Sequence, residues 1–125
     1  MRSRTNPGEI DAKGHGAIAR RIGGQLCLPL KNEKSLLPLD PHVGKVVIIG
    51  MHEYAEIACL GGGGSSKVEP LYTVPPLEGM RDVIADLGGS ATVELVTVAR
   101  DLSNLDDAQA AAAAADVVVL TAGLI

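Results

Sequence analysis

The residues of this chain best suited to chemistry lie in one stretch, Gly61-Gly62-Gly63-Gly64-Ser65-Ser66, which closes into Lys67-Val68-Glu69-Pro70. Four consecutive glycines give a backbone that takes positive φ and presents its N–H groups with no Cβ in the way. The two serines add hydroxyls that both donate and accept hydrogen bonds. Such a loop suits a ligand covered in hydroxyls or phosphates, and the same composition also describes a plain flexible linker. A phosphate-binding P-loop does not fit, because that pattern needs Gly-Lys followed by Ser or Thr, and here Ser65-Ser66 precede Lys67. The dinucleotide fingerprint fails as well: Gly50 is followed by Met51-His52 rather than by further glycines.

The other reactive side chains form no constellation. His15, His42 and His52 are scattered over a lead helix, a turn and a strand end. Of these, His52 falls at the carboxyl end of a strand, where ligands gather in α/β sheets. Glu53, Glu56, Glu69 and Glu78 have no spacing that makes an acid/base pair and read as solvated charges. Neither a serine–histidine nor a cysteine–histidine arrangement is present. Cys27 and Cys59 share no metal-type spacing and sit in apolar company, so they read as buried free thiols rather than a disulfide. No catalytic residue, metal site or cofactor follows from the residues themselves.

Length and composition narrow the class. A chain of 125 residues, 46% hydrophobic and 21% charged, is globular and sized for one domain. A net charge of -4 with no basic stripe argues against nucleic acid. No apolar stretch reaches the length of a membrane span. Met1-Arg2-Ser3-Arg4 has no apolar run behind it, so no signal peptide is expected, and the compartment stays open. Phe and Trp are absent, leaving Tyr54 and Tyr72 as the aromatic residues. Sugar and base sites usually want an aromatic face, so the chain is poorly equipped to hold such a ligand alone.

The elements that position these residues follow from patterning. Residues 1–10 are a polar, extended lead-in. Asp11 caps a helix to about Arg21, with Ala12, Ile18, Ala19 and Ile22 as its apolar face and Gly23-Gly24 as its end. Leu26-Cys27-Leu28-Pro29-Leu30 reads as a short strand, placed at a sheet edge or strand end by Pro29. Residues 31–34 form a solvated turn. Lys45-Val46-Val47-Ile48-Ile49-Gly50 is a strand whose unbroken β-branched run predicts burial on both faces, as in a parallel sheet. Residues 51–60 fit a short helix or a packed loop. Pro75-Pro76 opens a helix with a buried stripe of Leu77, Met80, Ile84 and Leu87, stopped by Gly88-Gly89.

Thr92 to Val98 alternates as a strand, and Ser103 or Asn104 caps a last helix whose alanines, Ala110 to Ala115, offer a flat face to a sheet. Val117-Val118-Val119-Leu120-Thr121 is a second buried strand. The alternation predicts an α/β fold: a layered α/β/α sandwich with a mainly parallel sheet and right-handed crossovers. A chain stopping just after a core strand points to a domain incomplete at its C-terminus.

Several of these stretches, in this order, resemble the second, α/β-sandwich domain of family 3 glycoside hydrolases, the group that includes many β-glucosidases. The helix from Asp11 to Arg20 with His15 is similar to the family's D-x-x-x-H-x-x-x-A-R. Leu30-Lys31-Asn32-Glu33 and Leu36-Leu37-Pro38-Leu39 resemble its most specific signature, L-K-N-E followed by L-L-P-L. The strand at 46–50, the glycine loop, Pro76-Leu77-Glu78-Gly79 and Ala115-Asp116-Val117-Val118-Val119 with Gly123 complete the match, while Met51-His52 stands where the family usually has proline.

The resemblance implies that residues 11–125 are part of that domain and that the protein hydrolyses terminal β-linked glucosides with retention, its substrates being β-glucosides or oligosaccharides. It also implies that the nucleophile comes from a preceding (β/α)8 barrel domain and the acid/base from beyond residue 125. This chain would then be inactive alone and supply a substrate-facing loop, with Ser65 touching a sugar hydroxyl and Gly63 and Gly64 letting the backbone approach. The alternative from another class is a free-standing, non-catalytic α/β binding or interaction module.

Overall fold

A computed structural model describes residues 11–58, 64–67, 69–70 and 72–123. The expected lead-in over residues 1–10, Cys59 and the first three glycines of the run lie outside them. The chain divides into two compact units, 1–37 and 38–125.

In the first unit, helix α1 spans Ala12–Leu26. Asp11 caps it as expected, its Oδ1 accepting from the Gly14 N–H at 2.8 Å. The helix does not stop at Gly23-Gly24. Each glycine there costs roughly 1 kcal/mol relative to alanine, but both still complete the helical ladder. The stop comes at Cys27, where the backbone turns extended (ψ 118°) two residues ahead of Pro29. The strand expected over residues 26–30 is absent for the same reason: Leu26 still belongs to α1, Pro29 has no N–H to give a ladder, and Leu30 is 99% exposed. Cys27 is a free thiol but an exposed one, correcting the expectation of burial. Within the Leu-Lys-Asn-Glu stretch, Asn32 closes a loop on itself. Its Nδ2 donates to the Leu37 carbonyl at 2.8 Å and its Oδ1 accepts from the Leu37 N–H at 2.9 Å, around one 3₁₀ turn at Glu33–Ser35.

The second unit is a three-stranded, all-parallel sheet: β1 (Lys45–Met51), β2 (Thr92–Val98) and β3 (Val117–Thr121), in spatial order β2-β1-β3. Ile48 of β1 pairs with Leu95 on one side and Val119 on the other. As the β-branched run predicted, β1 is covered on both faces. On one face, Val46 and Ile48 with Val93 and Val117 pack under Leu77, Met80 and Ile84 of helix α3 (Pro76–Asp86). On the other, Val47 and Ile49 lie beneath Ala108, Ala111 and Ala112 of helix α4 (Leu105–Ala113), with Ala115 just beyond it. The sheet is therefore sandwiched between helical layers, and the alanine face sits close to it because its side chains end at Cβ.

Four hydrogen bonds align the strands at their amino ends. The Pro41 carbonyl accepts from the Ser90 and Ala91 N–H groups at 3.0 and 2.9 Å. Asp116 Oδ2 accepts from the Lys45 N–H at 2.8 Å, and the Lys45 carbonyl accepts from the Asp116 N–H at 2.9 Å. Gly44, at φ +89°, makes the turn into β1, and the Asp116 carboxylate fills the space where a Cβ would stand. Helix α3 ends in a Schellman cap, with the Gly88 N–H on the Ala85 carbonyl (2.9 Å) and the Gly89 N–H on that of Ile84 (2.8 Å).

Two further expectations about burial are corrected. Leu87 follows the last residue of α3 and is exposed, because it sits in the cap rather than on the helix face. β3 is an edge strand, not a second core strand. Val117 is buried, but Val118 and Leu120, on the α4 side, are 43% and 71% exposed. Helix α4 lies over β1 and β2, and among the described residues nothing covers β3 on that face.

The asymmetry gives a direct test. Ile48→Ala should destabilise the chain by about 2–5 kcal/mol through a cavity in the packed layer. Leu120→Ala should change stability by less than about 0.5 kcal/mol, as for other exposed positions. Urea unfolding followed by circular dichroism measures both.

Candidate functional site

A parallel pair needs a connection that returns from the carboxyl end of one strand to the amino end of the next. Helix α3 makes the return between β1 and β2, and Ser90 and Ala91, just after it, bond to Pro41 ahead of the start of β1. The segment between Met51 and α3, which contains the glycine–serine run, therefore leaves from the carboxyl edge of the sheet. That edge is where open α/β sheets collect ligands.

The edge opens with the short helix α2, His52–Ala55, directly after β1. Ala55 is fully buried and pins it to the core, while its polar residues are cross-linked outward. His52 Nδ1 lies 2.7 Å from Glu56 Oε2. The same carboxylate oxygen accepts from Thr97 Oγ1 at 3.4 Å, near the end of β2. Arg100 donates to Glu53 Oε1 from both Nε (3.2 Å) and Nη2 (2.6 Å). The loop after β2 is tightened by Asn104, whose Oδ1 accepts from the Ala99 N–H and whose Nδ2 donates to the Thr97 carbonyl, both at 2.8 Å. Asn104, one of the two residues (with Ser103) expected to cap the last helix, stands at its N-cap, but its amide is spent on this loop rather than on a helix N–H. On the β3 side, the Tyr54 ring rests against Gly123 and helps line an apolar recess of about 240 Å³ with Gly50, Leu105, Leu120 and Thr121.

Of the expected sugar contacts, Gly63 lies outside the described residues. Gly64 begins a single 3₁₀ turn, Gly64–Ser66, at φ +60° with open space around it, and the Lys67 N–H closes that turn on the Gly64 carbonyl at 3.2 Å. Ser65 is exposed.

Electrostatically the edge sets the carboxylates of Glu53, Glu56 and Asp101 each against a hydrogen-bond donor. The hydrogen bond from Arg100 holds the Glu53 carboxyl below the usual glutamate range and pushes Arg100 up. The bond from His52 likewise holds the Glu56 carboxyl below the usual range, against an opposing effect of desolvation. The Ser103 backbone N–H, 3.0 Å away, lowers Asp101. From sequence, Glu53 and Glu56 read as solvated charges and His52 as the residue at a strand's carboxyl end. The i,i+4 spacing of His52 and Glu56 was available as a signal once residues 51–60 are read as helical. Thr97 and Arg100 are brought in by strand pairing, which no local pattern announces.

A carboxylate whose folded value is lowered adds stability above its ordinary value, and that stability is lost as pH falls through the lowered one. The amide protons of α2 and of residues 97–104 should thus exchange faster as pH drops below about 4 than intrinsic rates account for. The double variant E53Q/E56Q should flatten that dependence, and hydrogen exchange read by mass spectrometry measures it.

Comparison with known proteins bears on the whole of this unit. Residues 28–125 match the model of the glycosyl hydrolase family 3 C-terminal domain. The chain is 34% identical over 94 residues to a probable beta-glucosidase H of Aspergillus clavatus, covering 70% of this chain and 11% of that protein. It is 36% identical over 80 residues to beta-glucosidase B of Emericella nidulans (62% of this chain, 9% of that protein). A probable beta-glucosidase H from the same organism is 31% identical over 113 residues (82% and 13%). The chain thus spans about a tenth of the length of the curated relatives it matches. No solved structure matches it. With most of its length under the family model and its parallel sheet between helical layers, the chain belongs to the glycosyl hydrolase family 3 C-terminal domain family.

Proposed function

We propose that this chain is the front portion of the second domain of a β-glucosidase-like hydrolase that releases terminal β-linked glucose with retention. It contributes a substrate-facing loop at the carboxyl edge of its sheet, and the catalytic pair lies outside it. The observation that carries the reading is the family match over residues 28–125, and the β1–α3 connection, within which the glycine–serine run falls in sequence, supports it by leaving from that edge. Ser65 offers an exposed hydroxyl, and the backbone of Gly64 can approach a sugar with no side chain intervening.

The state of the nearby carboxylates supports assigning the chemistry elsewhere. Retaining hydrolysis needs one carboxylate as nucleophile and one carboxyl group held protonated as acid. Glu53 and Glu56 are each tied up by a cation or a donor, and both are pushed toward the ionised form, the wrong direction for a general acid. The nucleophile is assigned to a (β/α)8 barrel domain and the acid/base to sequence following this portion.

The other reading is a non-catalytic interaction module, for which the exposed pair Val118 and Leu120 on β3 is the supporting observation. Activity separates the two. The isolated 125-residue chain should release no nitrophenol from an aryl β-glucoside, whereas the full-length gene product should. In the full-length protein, Ser65→Ala should raise KM about two- to tenfold, the worth of one hydrogen bond, with an unchanged Tm. A full-length product without glycosidase activity rejects the enzyme reading.

A further inference from the structure

Only one imidazole on the carboxyl edge is both oriented and open among the described residues. His52 begins α2 immediately after β1, and its Nδ1 sits 2.7 Å from Glu56 Oε2. Glu56 is itself pinned, since Thr97 Oγ1 donates to the same oxygen from β2. A carboxylate can only accept, so the short contact places the ring proton on Nδ1 and makes Nε2 of the neutral ring an acceptor. The side chain is 58% exposed, and among the described residues its one hydrogen bond runs through Nδ1. The helix beneath is fixed from two sides, by buried Ala55 and by the Arg100–Glu53 pair on its next residue.

We infer that His52 is a second sugar-contacting residue of this edge, its Nε2 accepting a hydrogen bond from a hydroxyl of the bound β-glycoside, and that Glu56 is the positioning residue that fixes the ring for it. The inference rests on the sugar-facing reading of the edge given above. A surface helix pair kept only for stability would not require the carboxylate to be anchored to a second strand, because i,i+4 pairs form without help from another element. Anchoring costs side-chain freedom and adds little stability at an exposed site. It does give the imidazole one orientation, which a directional contact to a hydroxyl requires. The chain supplies two tyrosines and no other aromatic side chain for stacking, so recognition here falls to hydrogen bonds.

The test is steady-state kinetics of the full-length gene product on an aryl β-glucoside, with thermal unfolding measured in parallel. His52→Ala should raise KM about fivefold with kcat little changed, since one neutral hydrogen bond made in both ground and transition states is lost. His52→Gln, which keeps an acceptor on a chain of similar reach, should recover part of that loss. Glu56→Ala, which frees the ring, should raise KM less than His52→Ala does. Tm should stay within about 2 °C throughout, as expected of exposed substitutions.

If Ser65→Ala raises KM while His52→Ala leaves it unchanged, His52 is a surface ion-pair residue and the inference is overturned alone. It is also overturned if KM rises only in step with a fall in Tm, or if His52→Gln behaves like His52→Ala. If neither Ser65→Ala nor His52→Ala moves KM, the sugar-facing reading of the edge is lost, and this inference with it.

Discussion

Everything in the sheet-bearing unit depends on the burial of β1 between two layers. Val46, Val47, Ile48 and Ile49 are almost completely removed from water, and each such side chain is worth roughly 1.5–3 kcal/mol relative to exposure. That gain exists only if β1 has a strand on either side and a helix above and below. Parallel neighbours force long connections, and those connections become the two helical layers. One apolar strand therefore sets the order β2-β1-β3 and leaves the loops at the strand ends free for other uses.

The two ends of the sheet are built differently. At the amino end, Pro41, Gly44 and Asp116 spend backbone and carboxylate groups on aligning the strands. At the carboxyl end, the polar groups belong to side chains on α2 and the β2–α4 loop, and they are exposed. The first arrangement fixes register, while the second holds a short helix at the root of a glycine-rich connection. That division matches the general placement of binding sites in parallel α/β sheets.

Much of this architecture was legible in local patterns. The β-branched run marked β1 and its two-sided burial, Pro75-Pro76 marked the start of α3, Gly88-Gly89 marked its end, and the alanine tract marked a helix lying close to a sheet. The failures share one cause. Leu26 to Leu30, Leu87 and β3 were read from apolar composition, and composition records what a side chain prefers rather than what stands next to it. Pro29 withheld a ladder donor, Leu87 fell in a cap, and β3 fell at an edge whose α4 side is left open.

The sequence by itself determined the fold class, the strands and main helices from β1 onward and the family, because hydrophobic period, glycine and proline placement and short motifs are properties of neighbouring residues. It also singled out the glycine–serine run as the stretch most suited to a hydroxylated ligand. Only the tertiary structure decided that His52, Glu56 and Thr97 meet, that Arg100 reaches Glu53, and that this cluster stands at the edge from which the run departs. His52 and Thr97 lie 45 positions apart in the numbering. What joins them is the register that pairs Gly50 with Thr97, and that register is set by burying two strands together.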